Sequence, residues 1–188
     1  MRTEWVVVAV VVVVALYVVV IYNRLVRQGN VVREGWSGID VQLKRRTDLI
    51  PNLVETVKAY AAHERGVFED VTAKRATSIA ADDVHGQAAA ERALQGSLGR
   101  LLAVAEAYPE LKADKNFLAL QQELAEIEDQ LQMARRYYNG TVRNLNISIQ
   151  SFPSNLIAGL GGFQQQPYFE IEDRTAPAPA VAFSGSRP

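Results

Sequence analysis

From Trp5 to Tyr22 the chain carries 18 consecutive residues without a charge, 11 of them valine. In water such a run of β-branched residues favours strand. In lipid a lone strand leaves its backbone groups unpaired, whereas a helix satisfies its own. At 1.5 Å per residue the run spans roughly 27 Å, close to a hydrocarbon core of about 30 Å. Trp5 and Tyr22 stand at its two ends, where amphipathic rings favour the membrane–water interface. The run therefore predicts a transmembrane helix with the lipid bilayer as its partner. A cleaved leader is the competing reading. Arg2 is offset by Glu4, however, and Ile21-Tyr22-Asn23-Arg24-Leu25 offers no small-residue cleavage pattern, so an uncleaved anchor is expected. Arg24, Arg27 and Arg33 follow the run and Arg2 alone precedes it, which predicts a cytoplasmic C-terminal body.

Beyond the anchor, composition removes most catalytic chemistry. The 188 residues include no cysteine and only two histidines, which excludes disulfides, thiolate nucleophiles and cysteine-held metals. Twenty basic against 21 acidic side chains argue against a nucleic-acid binder. His63-Glu64 lacks the second histidine of a zinc-protease helix, since Val67 stands at that place. Asp82-x-x-His85 reads more simply as a helix start than as part of a metal site. Gly159-Leu160-Gly161-Gly162 is followed by no Gly-Lys-Ser/Thr, and Gly35-Trp36-Ser37-Gly38 lacks the spacing of a nucleophile elbow. Asn139-Gly140-Thr141 and Asn146-Ile147-Ser148 match glycosylation acceptors but fall on an expected helix. Glu123, Glu126 and Asp129 share a helix face and read as a solvated stripe. No cofactor, metal or catalytic residue is expected.

The remaining pattern is helical. Leu25, Val32, Trp36, Ile39 and Leu43 fall on one face, and Pro51 is expected to end that helix. Lys44-Arg45-Arg46 would then support its last turn and dipole. Asn52 and Glu55 resemble a capping box opening a second helix, with Leu53, Val57, Phe68 and Val71 on its apolar face. Asp82 or Asp83 caps a third, carrying Leu94, Leu98, Leu101, Ala105 and Tyr108, which Pro109 stops. The fourth has the clearest seam, from Phe117 through Leu120, Leu124, Ile127, Leu131, Ala134, Tyr138, Val142 and Leu145 to Ile149, coiled-coil-like over more than four heptads. Glu128 lies off that seam and is expected to be solvated.

The expected fold is all-α: an N-terminal transmembrane helix continuing into an antiparallel bundle of long helices, with a partly irregular C-terminal tail. Residues 1–22 form the N-terminus and anchor and 23–151 the bundle. Residues 152–171 form an apolar docking segment and 172–188 a flexible tail. Phe152, Leu156, Ile157, Leu160, Phe163, Tyr168, Phe169 and Ile171 crowd the docking segment. A closed bundle has no room for them, so they are candidates for a self-association surface, with folding back on the same bundle as the equal alternative.

Several segments, in order, resemble the LemA family of bacterial membrane proteins. They include Tyr22-Asn23-Arg24-Leu25-Val26-Arg27, Asp48-Leu49-Ile50-Pro51-Asn52-Leu53-Val54, Tyr108-Pro109-Glu110-Leu111-Lys112-Ala113, Ala134-Arg135-Arg136-Tyr137-Tyr138-Asn139, Phe152-Pro153-Ser154-Asn155-Leu156-Ile157-Ala158 and Tyr168-Phe169-Glu170. The resemblance implies one anchor in the bacterial inner membrane, a short exposed N-terminus and a helical bundle, with no reaction attached. Gly38, Leu145 and Gly161 depart from the pattern, where larger, polar or aromatic residues are usual. The reading that follows is a non-enzymatic, homo-oligomeric membrane scaffold that organises or shapes the bilayer. A monomeric adaptor for another membrane protein, and an enzyme with an unrecognised site, are the alternatives.

Overall fold

The computed structural model describes residues 2–170, so the expected tail at 172–188 and Ile171 lie outside the described residues. Its first element, α1 (Arg2–Tyr60), is a single helix of 59 residues. Its first 19 residues are exposed, Val6 through Val20 among them, and burial begins at Ile21. It is a helix long and apolar enough to cross a membrane. The expected sequel to the anchor is thus met without any linker. From Ile21 the same helix turns its apolar stripe into the body.

Pro51 does not end α1, which corrects the expected boundary and the expected capping box at Asn52. Leu49, Ile50, Leu53, Val54 and Val57 are buried on both sides of the proline and hold the helix together across it. Proline lacks the N–H that would bond the carbonyl four residues back. That carbonyl belongs to Thr47, and it accepts instead from Arg75 Nε at 2.6 Å. The chain turns later, at residues 61–64, and α2 (Arg65–Ile79) runs back along α1. Leu53 and Val57 therefore lie on a different helix from Phe68 and Val71, although all four enter one core cluster.

Asp83 caps α3 (Val84–Glu106), its carboxylate accepting from the His85 and Gly86 amides at 2.9 and 2.8 Å. Pro109 opens the short α4 (Pro109–Lys112), and Asp114 caps α5 (Lys115–Gln150) by accepting from Phe117 N at 2.9 Å. The expected seam of α5 is the face it buries: Phe117, Ile127, Leu131, Tyr138, Val142 and Leu145 are interior. A last helix, α6 (Ser154–Leu160), precedes an extended strap to residue 170.

The spine is the antiparallel pair α1–α5. Gly35 lies so near Tyr138 that an added Cβ would stand 3.2 Å from the Tyr138 Cα, so the glycine permits the close approach; Gly38 faces open space. The α2–α3 pair covers the end of the spine far from the anchor, around Leu53, Val71, Leu94, Leu101 and Phe117. The strap and α6 cover the near end, around Leu25, Ile39, Tyr138, Val142, Ile157 and Phe169. The connections at the far end are tied by Tyr60, whose hydroxyl donates to Asp114 Oδ2 at 3.2 Å.

Candidate functional site

Two polar constructions interrupt this apolar interior. The first centres on Arg46, only 2% exposed, on α1 between the two core clusters. Its Nη1 lies 3.3 Å from Glu91 Oε2 on α3 and 3.4 Å from Glu128 Oε2 on α5. Glu91 is fully buried and also accepts from the Ser78 hydroxyl of α2 and from Gln87 Nε2 at 3.1 Å. One guanidinium thus gathers side chains from all four long helices of the body. The expectation that Arg46 supports a last helical turn and its dipole is corrected, since α1 runs on past it and the side chain is buried, and so is the solvated reading of Glu128. Lys44 and Arg45 do face solvent. The pattern Lys44-Arg45-Arg46 hides the difference, because helical phase alone puts Arg46 in line with Leu43 and Ile50. A charge this buried requires partners: Nη1 has two carboxylates, Nε is left without a hydrogen-bond partner, and the cluster ties the four helices together at one level. Among the described residues no three metal-ligating side chains converge.

The second construction docks the strap at the anchor end. Asn146 donates from Nδ2 to the Gln166 carbonyl and accepts the Gln166 amide, both at 2.9 Å. Asn139 treats Phe169 the same way, donating at 3.1 Å and accepting at 2.9 Å. Seven helical residues rise about 10.5 Å, and three extended residues cover about 10 Å, so the two clasps match in length. Between them the Tyr138 hydroxyl donates to the Pro167 carbonyl at 2.9 Å. Burial pushes the Tyr138 phenol above its ordinary pKa. Phe169 is fully buried, with its ring centroid 5.6 Å from Trp36, which also lies 5.5 Å from Tyr138. Asn139 and Asn146, matched in sequence only as glycosylation acceptors, are clamps whose seven-residue spacing was the available signal.

The docking segment accordingly divides. Ile157, Phe169 and, in part, Phe163 pack on their own subunit, which takes them out of the expected association surface. Phe163 meets Tyr22 edge-on at 5.6 Å, and its position depends on Gly161, where a Cβ would lie 2.7 Å from its ring, and on Gly162 at φ +69°. Phe152, Leu156, Leu160 and Tyr168 remain outside. Of the expected membrane-interface residues, Trp5, Tyr22, Arg24 and Arg27 are all exposed, Trp5 near one end of the bare helix and the other three where the body begins.

The LemA family model matches residues 35–183, most of the chain. The chain belongs to the LemA family. Among curated proteins it is similar to magnetosome protein MamQ 2 of Paramagnetospirillum magneticum, 28% identical over 175 residues, covering 79% of this chain and 64% of that protein. Magnetosome protein MamQ of Magnetospirillum gryphiswaldense is 26% identical over 174 residues, with the same coverage. Protein LemA of Metamycoplasma hominis is 26% identical over 137 residues, covering 72% of this chain and 63% of its own. The match spans less than two thirds of each relative's length. None of these names is that of an enzyme. Together with the bare apolar helix, LemA-family membership supports a membrane-associated protein.

Proposed function

We propose that the protein is a non-enzymatic, single-pass scaffold of the bacterial inner membrane that self-associates and organises or shapes the bilayer beside it. The observation that carries this reading is the unbroken α1, which makes the span and the body's spine one rigid element. A body mounted this way transmits the orientation of its neighbours to the span, which is what a membrane-organising scaffold needs. Arg24, Arg27 and Arg33 against Arg2 favour a cytoplasmic body. The spine also keeps apolar side chains outside: Val41, Met133 and Tyr137 are about half exposed. The facing of Gly35 with Tyr138 and of Arg46 with Glu128 puts Val41 level with Met133. These exposed side chains are the candidate surface for lateral assembly. Relatives named as magnetosome proteins agree with a role in membrane organisation.

The test is the mass of the purified full-length protein in mild detergent, by light scattering and imaging. Homo-oligomers formed by the chain alone are expected. Introducing Val41→Glu with Met133→Glu should reduce them while helicity is kept. A monomer that co-purifies with a stoichiometric second protein would replace the scaffold by an adaptor.

A further inference from the structure

The end of the body that faces the anchor carries its most exposed large apolar side chains. Phe152 is 80% exposed, Leu156 59% and Leu160 92%, spaced by four and four along one face of α6 and its lead-in. The opposite face of the same helix buries Ile157 and Ala158 in the body. A helix apolar on both faces is stable only when both are covered. The chain itself covers one.

What covers the other follows from height along α1. The facing of Gly35 with Tyr138, carried down the antiparallel pair, brings Phe152 level with Ile21, where the body begins. A single cleft is lined by Tyr17 and Ile21 of the apolar run together with Phe152 and Pro153. Tyr22, at the end of the run, stacks its edge on Phe163 just beyond α6. The outward face of α6 is therefore continuous with the surface of α1 that meets lipid. Its composition suits that place: no charged side chain occurs between Arg143 and Glu170. Entering the interfacial region would thus desolvate no ion, while Arg24, exposed in the same cleft, stands ready for phosphate headgroups.

We infer that α6 is a second membrane contact, a foot that lays Phe152, Leu156 and Leu160 into the headgroup–acyl boundary beside the span. The inference rests on the anchored reading of α1. It removes these three residues from the assembly surface and gives the body a fixed tilt and rotation on the bilayer, because a span alone leaves rotation about its axis free.

The chain has no cysteine, so single labels report cleanly. Full-length protein carrying Leu156→Cys or Leu160→Cys with an environment-sensitive fluorophore is reconstituted into phosphatidylcholine–phosphatidylglycerol vesicles. Quenchers are placed near the top or deep along the acyl chain. Val13→Cys reports the anchor, and Glu126→Cys the far body. Labels at 156 and 160 should emit blue-shifted and lose most intensity to the shallow quencher, and Val13→Cys to the deep one, with Glu126→Cys unaffected. Water-like emission at both α6 positions, with Val13→Cys still quenched, overturns the foot and leaves the anchor standing. Blue-shifted emission that no lipid quencher reaches also overturns it, and returns α6 to a protein interface. Failure of Val13→Cys to be quenched overturns the anchored reading itself.

Discussion

Arg46 is held among two carboxylates, and the effect of each substitution follows from the charge it leaves behind. Glu91→Ala leaves a guanidinium that is 3% exposed with only the partly exposed Glu128, and breaking a buried pair costs about 3–5 kcal/mol. Glu128 is 30% exposed at its side chain, so Glu128→Ala should cost no more than about 1 kcal/mol. Replacing both Arg46 and Glu91 by apolar residues of similar size should recover most of the loss. Chemical denaturation followed by helicity measures all three, and equal costs at 91 and 128 would contradict the assignment. Asp114 provides a pH test. Its bond from the Phe117 amide holds the carboxyl below the ordinary range, and its charge in turn raises the Tyr60 phenol. The stabilisation is fully present above the unfolded value of about 3.9 and is lost as pH falls through the lower folded value. The Phe117 amide resonance should therefore titrate with a midpoint below about 3.9, and Asp114→Asn should abolish that titration.

At the scale of elements, Pro51 and Arg75 form a pair that double substitution can expose. Arg75→Met leaves the Thr47 carbonyl without a donor and should cost about 1.5–3 kcal/mol. With Pro51→Ala in place, the new amide can fill that carbonyl, and Arg75→Met should cost distinctly less; additive losses would contradict the compensation. The strap offers a second test: Asn146→Ala removes both clasps on Gln166 and should cost about 1–3 kcal/mol. Earlier proteolysis around residues 164–170 and altered Trp36 fluorescence should accompany that loss. These elements also mark how far the sequence could be read. The three-four spacing from Phe117 to Ile149 located α5 because one wide apolar face leaves no other solution. A cap at Asp82 or Asp83 was legible, and the structure places it at Asp83. The turn at residues 61–64 was not, since Ala61-Ala62-His63-Glu64 has no breaker, whereas Pro51 is a breaker that burial overrules. At the anchor end, the apolar density of residues 152–171 was visible, but which side chains turn inward depended on Asn139 and Asn146, ordinary polar residues in one dimension.

At the scale of the molecule, the central claim is that α1 carries the body on the span as one rigid lever. A hinge near Tyr22 would let the bundle swing free of the bilayer, and neither lateral assembly nor the seating of α6 would then orient the membrane. The most direct measurement is a pulsed electron-spin distance between labels at Val11→Cys and Ser37→Cys, in full-length protein reconstituted in lipid nanodiscs and diluted with unlabelled chain. Both positions are exposed, and Gly29 lies between them on the same helix. A continuous helix predicts one narrow distribution centred at roughly 39 Å, from 1.5 Å per residue. A broad or markedly shorter distribution would mean that the span and the body move independently, and would contradict the account.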